Sequence, residues 1–462
     1  MAAHLRGDGA QPTRPAAACG VVMSAPAAAS LRGLLADVRP HEQRAVALAF
    51  LGNFLLLASY YVLRPLRDVM ATVIGASMLQ QLFTGTLLLT LLCAPLFSWL
   101  TDTFKLTRVL PGVFWFWVGN ILLFHFLFAR LPDSRWLAAA YYWWFSVVNL
   151  FMISVFWSLM VDVFAPAQAT RLFALIAAGG SSGAIIGPLV TRATVGRVGV
   201  SGLLLVAAAG FLMVIALVHL LMREKRRLQS AHAEVQASTL DHHLSGSAWD
   251  GFRVLFSSAY AMNQALFMLL MTWIATIAYF LQTDLITRSY SGIAARTVAL
   301  ADIDLMVNVC SALVLIFGLG RFITRFGVTA ALVINPVLMT LGFVVMALTP
   351  TLAVMQGLQV LRRVSQYAIA RPSREICFTV VPQASRYKAK NVIDTVAYRL
   401  GDVSAAWIQT GMRALGFGGG SVLGLGLLAS GAWAAVSLAL GRRYEQLRRA
   451  ADMPPPGAAP TY

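Results

Sequence analysis

Charge is what this sequence has least of. Asp, Glu, Lys and Arg together make up 12% of its residues, against roughly 25% in an average soluble protein. Hydrophobic residues make up 58% of a 462-residue chain, so the polar shell that a soluble body of this size needs is missing. That excludes an ordinary cytosolic enzyme and puts much of the apolar surface against lipid. Cysteine is scarce too. Cys19, Cys93, Cys310 and Cys377 stand alone, with neither a disulfide framework nor a zinc spacing. No G-x-x-x-x-G-K-[ST] loop occurs, which argues against a pump that hydrolyses ATP and leaves secondary transport. The seven histidines form no metal spacing and no nucleophile, base and acid set is present, so no catalytic residue, cofactor or metal is expected. The residues before Met23 have no apolar h-region and do not read as a secretory signal; they are expected to be disordered, with Met23 as an alternative start.

What is present is a series of long apolar runs. A bilayer core takes about 20 apolar residues per helix, and twelve such runs recur: 44–63, 79–100, 109–129, 136–160, 172–192, 200–222, 263–282, 298–320, 327–348, 352–372, 390–412 and 419–440. The expected fold is therefore an all-α membrane protein, with twelve transmembrane helices in two six-helix halves. The longest break divides them, giving a largely disordered N-terminus (1–43), a first half (44–222), a linker (223–262), a second half (263–440) and a basic tail (441–462). The formal charge is +17, and its distribution excludes nucleic acid as the partner. The N-terminus, the even-numbered loops and the tail hold 24 of the 36 Lys and Arg, and the odd-numbered loops nine. By the positive-inside rule both termini face the cytoplasm, which for a bacterial-type protein means the inner membrane.

Internal similarity supports the division. The turn from Trp99 to Lys105 is loosely repeated at Phe322 to Gly327, and the entry to the fifth run at Arg171 is matched by the entry to the eleventh at Lys390. Gly179, Gly183 and Gly187 fall at i, i+4 and i+8 on one face of the fifth run. That pattern predicts close helix packing rather than a phosphate loop, because the run is apolar and has no Lys. Parallel six-helix halves, the degenerate Asp102-x-x-Lys105-x-x-Arg108 turn and the Gly183 to Pro188 segment resemble the major facilitator superfamily. In that architecture the substrate sits at the midplane between the halves.

Ionisable residues within apolar runs carry the functional signal, since each costs about 2.5–3.5 kcal/mol at a helix centre and so faces the bundle interior or a wet cavity. They cluster at the end of the first run (Arg64, Arg67, Asp68), through the tenth (Arg362, Arg363, Arg371, Arg374, Glu375) and into the eleventh (Lys390, Asp394, Arg399, Asp402). Helical spacing predicts the pairs Arg371 with Glu375, Lys390 with Asp394 and Arg399 with Asp402. Arg67 and Asp68 are expected to point apart as neighbours. Arg64 to Asp68 could alternatively anchor a helix end at the interface. Cations outnumber acids here by eight to four, and a multiply charged anion would balance the surplus.

At this level of detail the chain resembles the ATP/ADP translocases of plastids and intracellular bacteria. Tyr61 to Met70 is similar to their first-helix segment, Phe156-Trp157 with Ala169 to Phe173 to the passage from helix 4 to 5, and Phe326 to Pro336 to helix 9. The longest match runs from Gln366-Tyr367 through Pro372 to Glu375 and Pro382 to Asp394, then Leu400-Gly401 and Gln409. The resemblance implies a major facilitator-type fold and exchange of ATP for ADP, with Arg67 and Lys390 at the positions of the family's transport cations. It departs at four places: Arg67 replaces a Lys, Gln168 an acid, Arg371 an Asp, and Tyr279 lies near an acid's place, with Asp284 close by. The expected function is a secondary transporter of a nucleotide or other phosphorylated anionic metabolite, working by exchange as a monomer in the lipid bilayer. Its candidate binding residues are Arg64, Arg67, Asp68, Arg171, Arg374, Glu375, Lys390 and Asp394. The competing expectations are a proton-coupled exporter using a carboxylate such as Asp68, Asp162, Asp302 or Asp304 in a mainly apolar cavity, and a membrane sensor with no continuous cavity.

Overall fold

The computed structural model describes residues 38–103, 106–231, 253, 255–381, 389–390 and 392–452. The expectation of a disordered start around Met23, most of the linker and the last part of the tail lie outside the described residues. Helix is the only regular secondary structure among those described. α1 spans Gln43–Ile74, α2 Leu79–Thr103, α3 Leu106–Arg130 and α4 Arg135–Val163. The stretch Pro166–Ala231 is broken at Gly199, where φ is +68°, into α5 (166–198) and α6 (200–231). α7 spans Ala259–Ser289. α8 (293–326) and α9 (328–348) are separated by Gly327 at φ +80°, followed by α10 (352–377), α11 (389–390 and 392–414 among the described residues) and α12 (Gly419–Asp452). Positive φ costs an L-residue roughly 1–2 kcal/mol, so glycine marks these sharp reversals.

Eight stretches are long and apolar enough to cross a membrane, and two of them, Arg171–Lys225 and Ile293–Leu348, contain the breaks at Gly199 and Gly327 and so hold two crossings each. α10 and α11 complete the twelve. They fall short in apolarity because they carry the buried charge. Three helices outrun their expected spans most: α6 continues to Ala231 into the expected linker, α12 to Asp452 into the expected tail, and α1 to Ile74 instead of ending before Arg64. Arg64, Arg67 and Asp68 therefore sit inside a helix, and the interfacial-anchor alternative does not describe them.

Two clusters of buried side chains form the core, one centred on α1–α6 and one on α7–α12. Phe280, Ile286, Leu300, Ile303 and Val307 of the second half belong to the first cluster. The glycine face of α5 packs on α1 as expected: a methyl group on Gly179 would stand 2.5 Å from the Phe50 carbonyl oxygen, one on Gly187 2.6 Å from that of Ala58, and one on Gly183 would collide with the Phe54 carbonyl. The second half repeats this seam, with Gly401 of α11 against Leu269 and Thr272 of α7. Backbone contact this close is how helices associate where no hydrophobic gradient separates them from the lipid.

Polar bridges between the halves are unevenly distributed. At the end where α1 finishes, Arg296 donates to the Thr72 hydroxyl at 3.3 Å, Arg413 to the Ala76 carbonyl at 3.3 Å, and Trp407 to Thr84 at 3.0 Å. At the end where α1 begins, the described polar pairs stay within one half: Arg171 with Glu42, Lys225 with Asp162, Arg374 with Asp394 and Thr329 with Glu445. The halves are thus tied at one end and parted at the other.

Candidate binding cavity

The parted end opens into a cavity of about 670 Å³ on the axis between the halves. Its walls come from α1, α2, α4 and α5 of the first half and α7, α8, α10 and α11 of the second. α3, α6, α9 and α12 contribute no lining residue, so they support the inner helices from the lipid side. The size lies in the range of small-molecule sites.

Six arginines line this cavity, Arg64, Arg67, Arg362, Arg363, Arg371 and Arg399, against two carboxylates, Asp68 and Asp402. A third acid, Asp304 of α8, is 1% exposed and lies behind the wall, where it shares its charge between Arg64 of α1 at 3.2 Å and Arg363 of α10 at 2.6 Å. Both guanidiniums reach it because α8 packs against α1 across the interface. Asp304 thus joins the halves at mid-depth.

Asp68 makes a second mid-depth bridge. It accepts two hydrogen bonds from Arg67, at 3.0 Å from Nε and 2.6 Å from Nη2, and one from the Tyr279 hydroxyl of α7 at 3.1 Å. The expectation that Arg67 and Asp68 point apart is corrected here: the Arg side chain is long enough to fold back over its neighbour's carboxylate. Asp402 accepts from Thr276 at 3.2 Å and lies 3.7 Å from Arg399, the i, i+3 pair that spacing predicts. Arg362 is held by two side-chain amides, with Gln359 Oε1 at 2.9 Å and Gln366 Oε1 at 3.0 Å. These oxygens fix its direction without neutralising its charge.

Tyrosines back the cations. The Arg64 guanidinium lies 5.4 Å from the Tyr61 ring centre, Arg67 5.0 Å from Tyr142, Arg371 5.0 Å from Tyr367 and Arg399 5.7 Å from Tyr398. A ring face attracts a guanidinium and limits its rotation, which leaves its N–H edges for an anion. Planar guanidinium forks suit carboxylate and phosphate oxygens taken two at a time.

The sequence-derived site separates into two groups. Arg64, Arg67 and Asp68 line the cavity; Arg171, Arg374, Glu375, Lys390 and Asp394 do not. Arg171 of α5 lies at the start of α1, 2.9 Å from Glu42, to which Gln168 also donates at 2.8 Å. Burial opposes ionisation of Glu42, but these donors, together with the Arg39 N–H, hold its carboxyl below the usual glutamate value. The other four residues cross-pair between α10 and α11, Arg374 with Asp394 and Lys390 with Glu375, both at 2.6 Å. That replaces the predicted pairs of Lys390 with Asp394 and of Arg371 with Glu375. Between Lys390 and Asp394 the helix enters the π-turn Ile393–Ala397 and is not regular, whereas Arg371 and Glu375 share a regular α-helical segment in which Glu375 is taken by Lys390 from the facing helix.

Arg362, Arg363, Arg371, Arg399 and Asp402 line the cavity although none is among the candidate binding residues expected from sequence, and Asp304 lies behind its wall. Their signal was there, as charge in the middle of an apolar run.

A family model described as the Major Facilitator Superfamily matches residues 49–362. Solved structures that resemble this one include a bacterial homologue of the iron transporter ferroportin in an inward-facing state (TM-score 0.61, 12% identity, covering 86% of this chain and 99% of that one). The nucleoside transporter NupG also resembles it (TM-score 0.58, 16% identity, 89% of this chain and 100% of that one). So does a POT family transporter in complex with 5-aminolevulinic acid (TM-score 0.57, 10% identity, 87% of this chain and 96% of that one). No protein of curated function matches the chain in sequence.

Proposed function

Because this chain belongs to the Major Facilitator Superfamily, we propose that it is a secondary transporter, rather than an enzyme, for a nucleotide of the ATP/ADP type or another phosphorylated anion. The observation that carries this reading is the surplus of guanidinium in the cavity: six lining arginines against Asp68, Asp402 and, behind the wall, Asp304. Buried cations without counter-charges are costly, and a multiply charged anion lowers that cost by entering. The proton-coupled exporter expects a mainly apolar cavity with one acid, and the sensor expects no cavity; neither accounts for the arginines. The solved proteins that share this fold include a nucleoside transporter, a homologue of an iron transporter and a transporter in complex with 5-aminolevulinic acid, so the wall charges rather than the fold choose the substrate class.

The mechanism we infer is exchange. An empty cavity leaves like charges facing one another, which opposes closure of the parted end, whereas a bound anion neutralises them and lets Arg64 and Arg67 of one half and Arg362 and Arg399 of the other draw together around it. Lys390, carried over from the translocase resemblance, acts in this scheme at the rim of the bundle and not in the cavity. With both termini cytoplasmic, the parted end faces the cytoplasm of a cell whose inner membrane holds the protein as a monomer. Uptake of radiolabelled ADP, ATP and organic phosphates into proteoliposomes tests the reading. Uptake is expected only when the vesicles are preloaded with a phosphorylated substrate. Equal uptake without internal substrate would remove exchange, and no uptake or binding of any phosphorylated compound would remove the substrate class.

A further inference from the structure

Arg371 does not behave as its sequence context predicts. At about 100° per residue, an unbroken α-helix would set it roughly 110° away from the cavity-facing line of Gln359, Arg363 and Gln366. α10 is not unbroken. Residues Gln366–Ala370 form a π-turn, which adds one residue to the turn and rotates everything after it back by about 100°. The result is that Arg371 lines the cavity. Glu375, four residues further along the same regular α-helical segment, is taken by Lys390 of the facing helix at 2.6 Å. Among the described residues no carboxylate lies in ion-pair range of Arg371; its described partner is the Tyr367 ring face.

Its depth also differs from that of the other cavity cations. α10 runs from the tied end to the parted end, so Arg371 lies about 12 Å nearer the opening than Arg363, eight residues earlier. It is exposed, whereas Arg363 is buried. The cavity therefore has an inner set of arginines, of which Arg64, Arg67, Arg363 and Arg399 are engaged with Asp68, Asp304 and Asp402 and Arg362 is held by Gln359 and Gln366, and one outer arginine whose described partner is an aromatic ring.

We propose that Arg371 is a specificity-determining capture residue, the first cation an incoming anion meets, and that the π-turn of α10 exists in this chain to aim it. The inference rests on the anion-transport reading above. A charge at the rim of a site acts on the encounter more than on the bound complex, raising the association rate in a salt-dependent way. Substitution at an exposed side chain with no buried partner leaves the fold intact, so the effect is separable from stability.

The test uses the purified full chain in nanodiscs and stopped-flow binding of ADP and of inorganic pyrophosphate. The wild-type protein is measured first: if it binds neither probe, the transport reading fails, whatever Arg371 does. Given binding, Arg371→Gln is expected to slow association about tenfold at low salt and to flatten its dependence on ionic strength, with dissociation changed less than about threefold. Arg371→Asp should slow association further, and Arg371→Lys should restore most of it. An unchanged association rate in Arg371→Gln overturns the proposal. So does a loss carried by faster dissociation, which would place Arg371 in the bound complex instead of on the way to it.

Discussion

Asp302 and Asp304 stand two residues apart on α8, each ion-paired to arginine, and neutralising them one at a time tests whether burial sets the value of the inter-half charges. Asp302 is 25% exposed and pairs at 2.9 Å with Arg192, which is 58% exposed. Asp304 is 1% exposed and holds Arg363 and Arg64, which are 7% and 12% exposed. An exposed pair contributes about 0–1 kcal/mol. Removing one partner of a buried pair costs about 3–5 kcal/mol, because the remaining charge is left without compensation. Asp304→Asn leaves two such charges, but both guanidiniums border a wet cavity and can turn toward it, so we expect the lower end, about 3 kcal/mol, against less than about 1 kcal/mol for Asp302→Asn. The assay is reversible denaturant unfolding in one detergent, with the double variant Asp304→Asn/Arg363→Met included. Restoring the charge balance should recover more than half of the loss. If Asp304→Asn is no more destabilising than Asp302→Asn, or if the double variant is worse than either single one, then Asp304 is not a shared counter-ion.

Other predictions follow from the same geometry. Gly183→Leu should abolish folded yield, because its side chain would meet the Phe54 backbone, whereas Gly196→Ala, with open space at its Cβ, should be tolerated; size-exclusion profiles of the two separate the cases. Arg67→Ala should weaken ADP binding about ten- to a hundredfold, the value of one charge-assisted contact, while Lys390→Ala should leave affinity within about threefold, since Lys390 stands outside the cavity on Glu375; equilibrium binding to both variants decides, and equal losses would return Lys390 to the site. Glu42 is depressed in the fold, so the stability it adds is present above its ordinary value of 4.5 and is lost as pH falls through the lower folded value. The stability gap between wild type and Glu42→Gln should accordingly close with acidification, and a gap that widened below pH 4.5 would contradict it.

Most of the fold was legible because bilayer thickness imposes a length on every apolar run, and each expected span falls on one of the twelve helices, although α6 runs on to Ala231 and α12 to Asp452 where the chain turns polar. α1 was misjudged at its end because charge was read as a helix terminus. In a bundle with a wet axis, Arg64, Arg67 and Asp68 can continue a helix without meeting lipid. The glycine seam of α5 was readable because packing against a neighbouring backbone leaves a strict i, i+4 signature. The cavity was only half legible, for a geometric reason. Helical-wheel reasoning assigns Arg371 to Glu375 and Lys390 to Asp394; the second assumes regular α-helix into the π-turn at Ile393–Ala397, and the first fails because Lys390 reaches Glu375 from the facing helix. A π-turn leaves no residue-type signature, so the rotations at Gln366–Ala370 and Ile393–Ala397 had no sequence signal, and neither had the ion pairs that form between facing helices.

Three π-turns occur among the described residues, in α8, α10 and α11, and all belong to the second half. Their consequence is mechanical. A π-turn is wider and less well hydrogen-bonded than the α-helix on either side and can shift along the chain by exchanging one set of bonds for another, whereas α1 and α5 are locked backbone to backbone along three glycines. The two halves, alike in topology, are therefore unequal in compliance: the first is a stiff frame, and the second carries three joints at which a helix can shorten, lengthen or rotate without unfolding. On this geometry, movement is expected to be borne mainly by the second half.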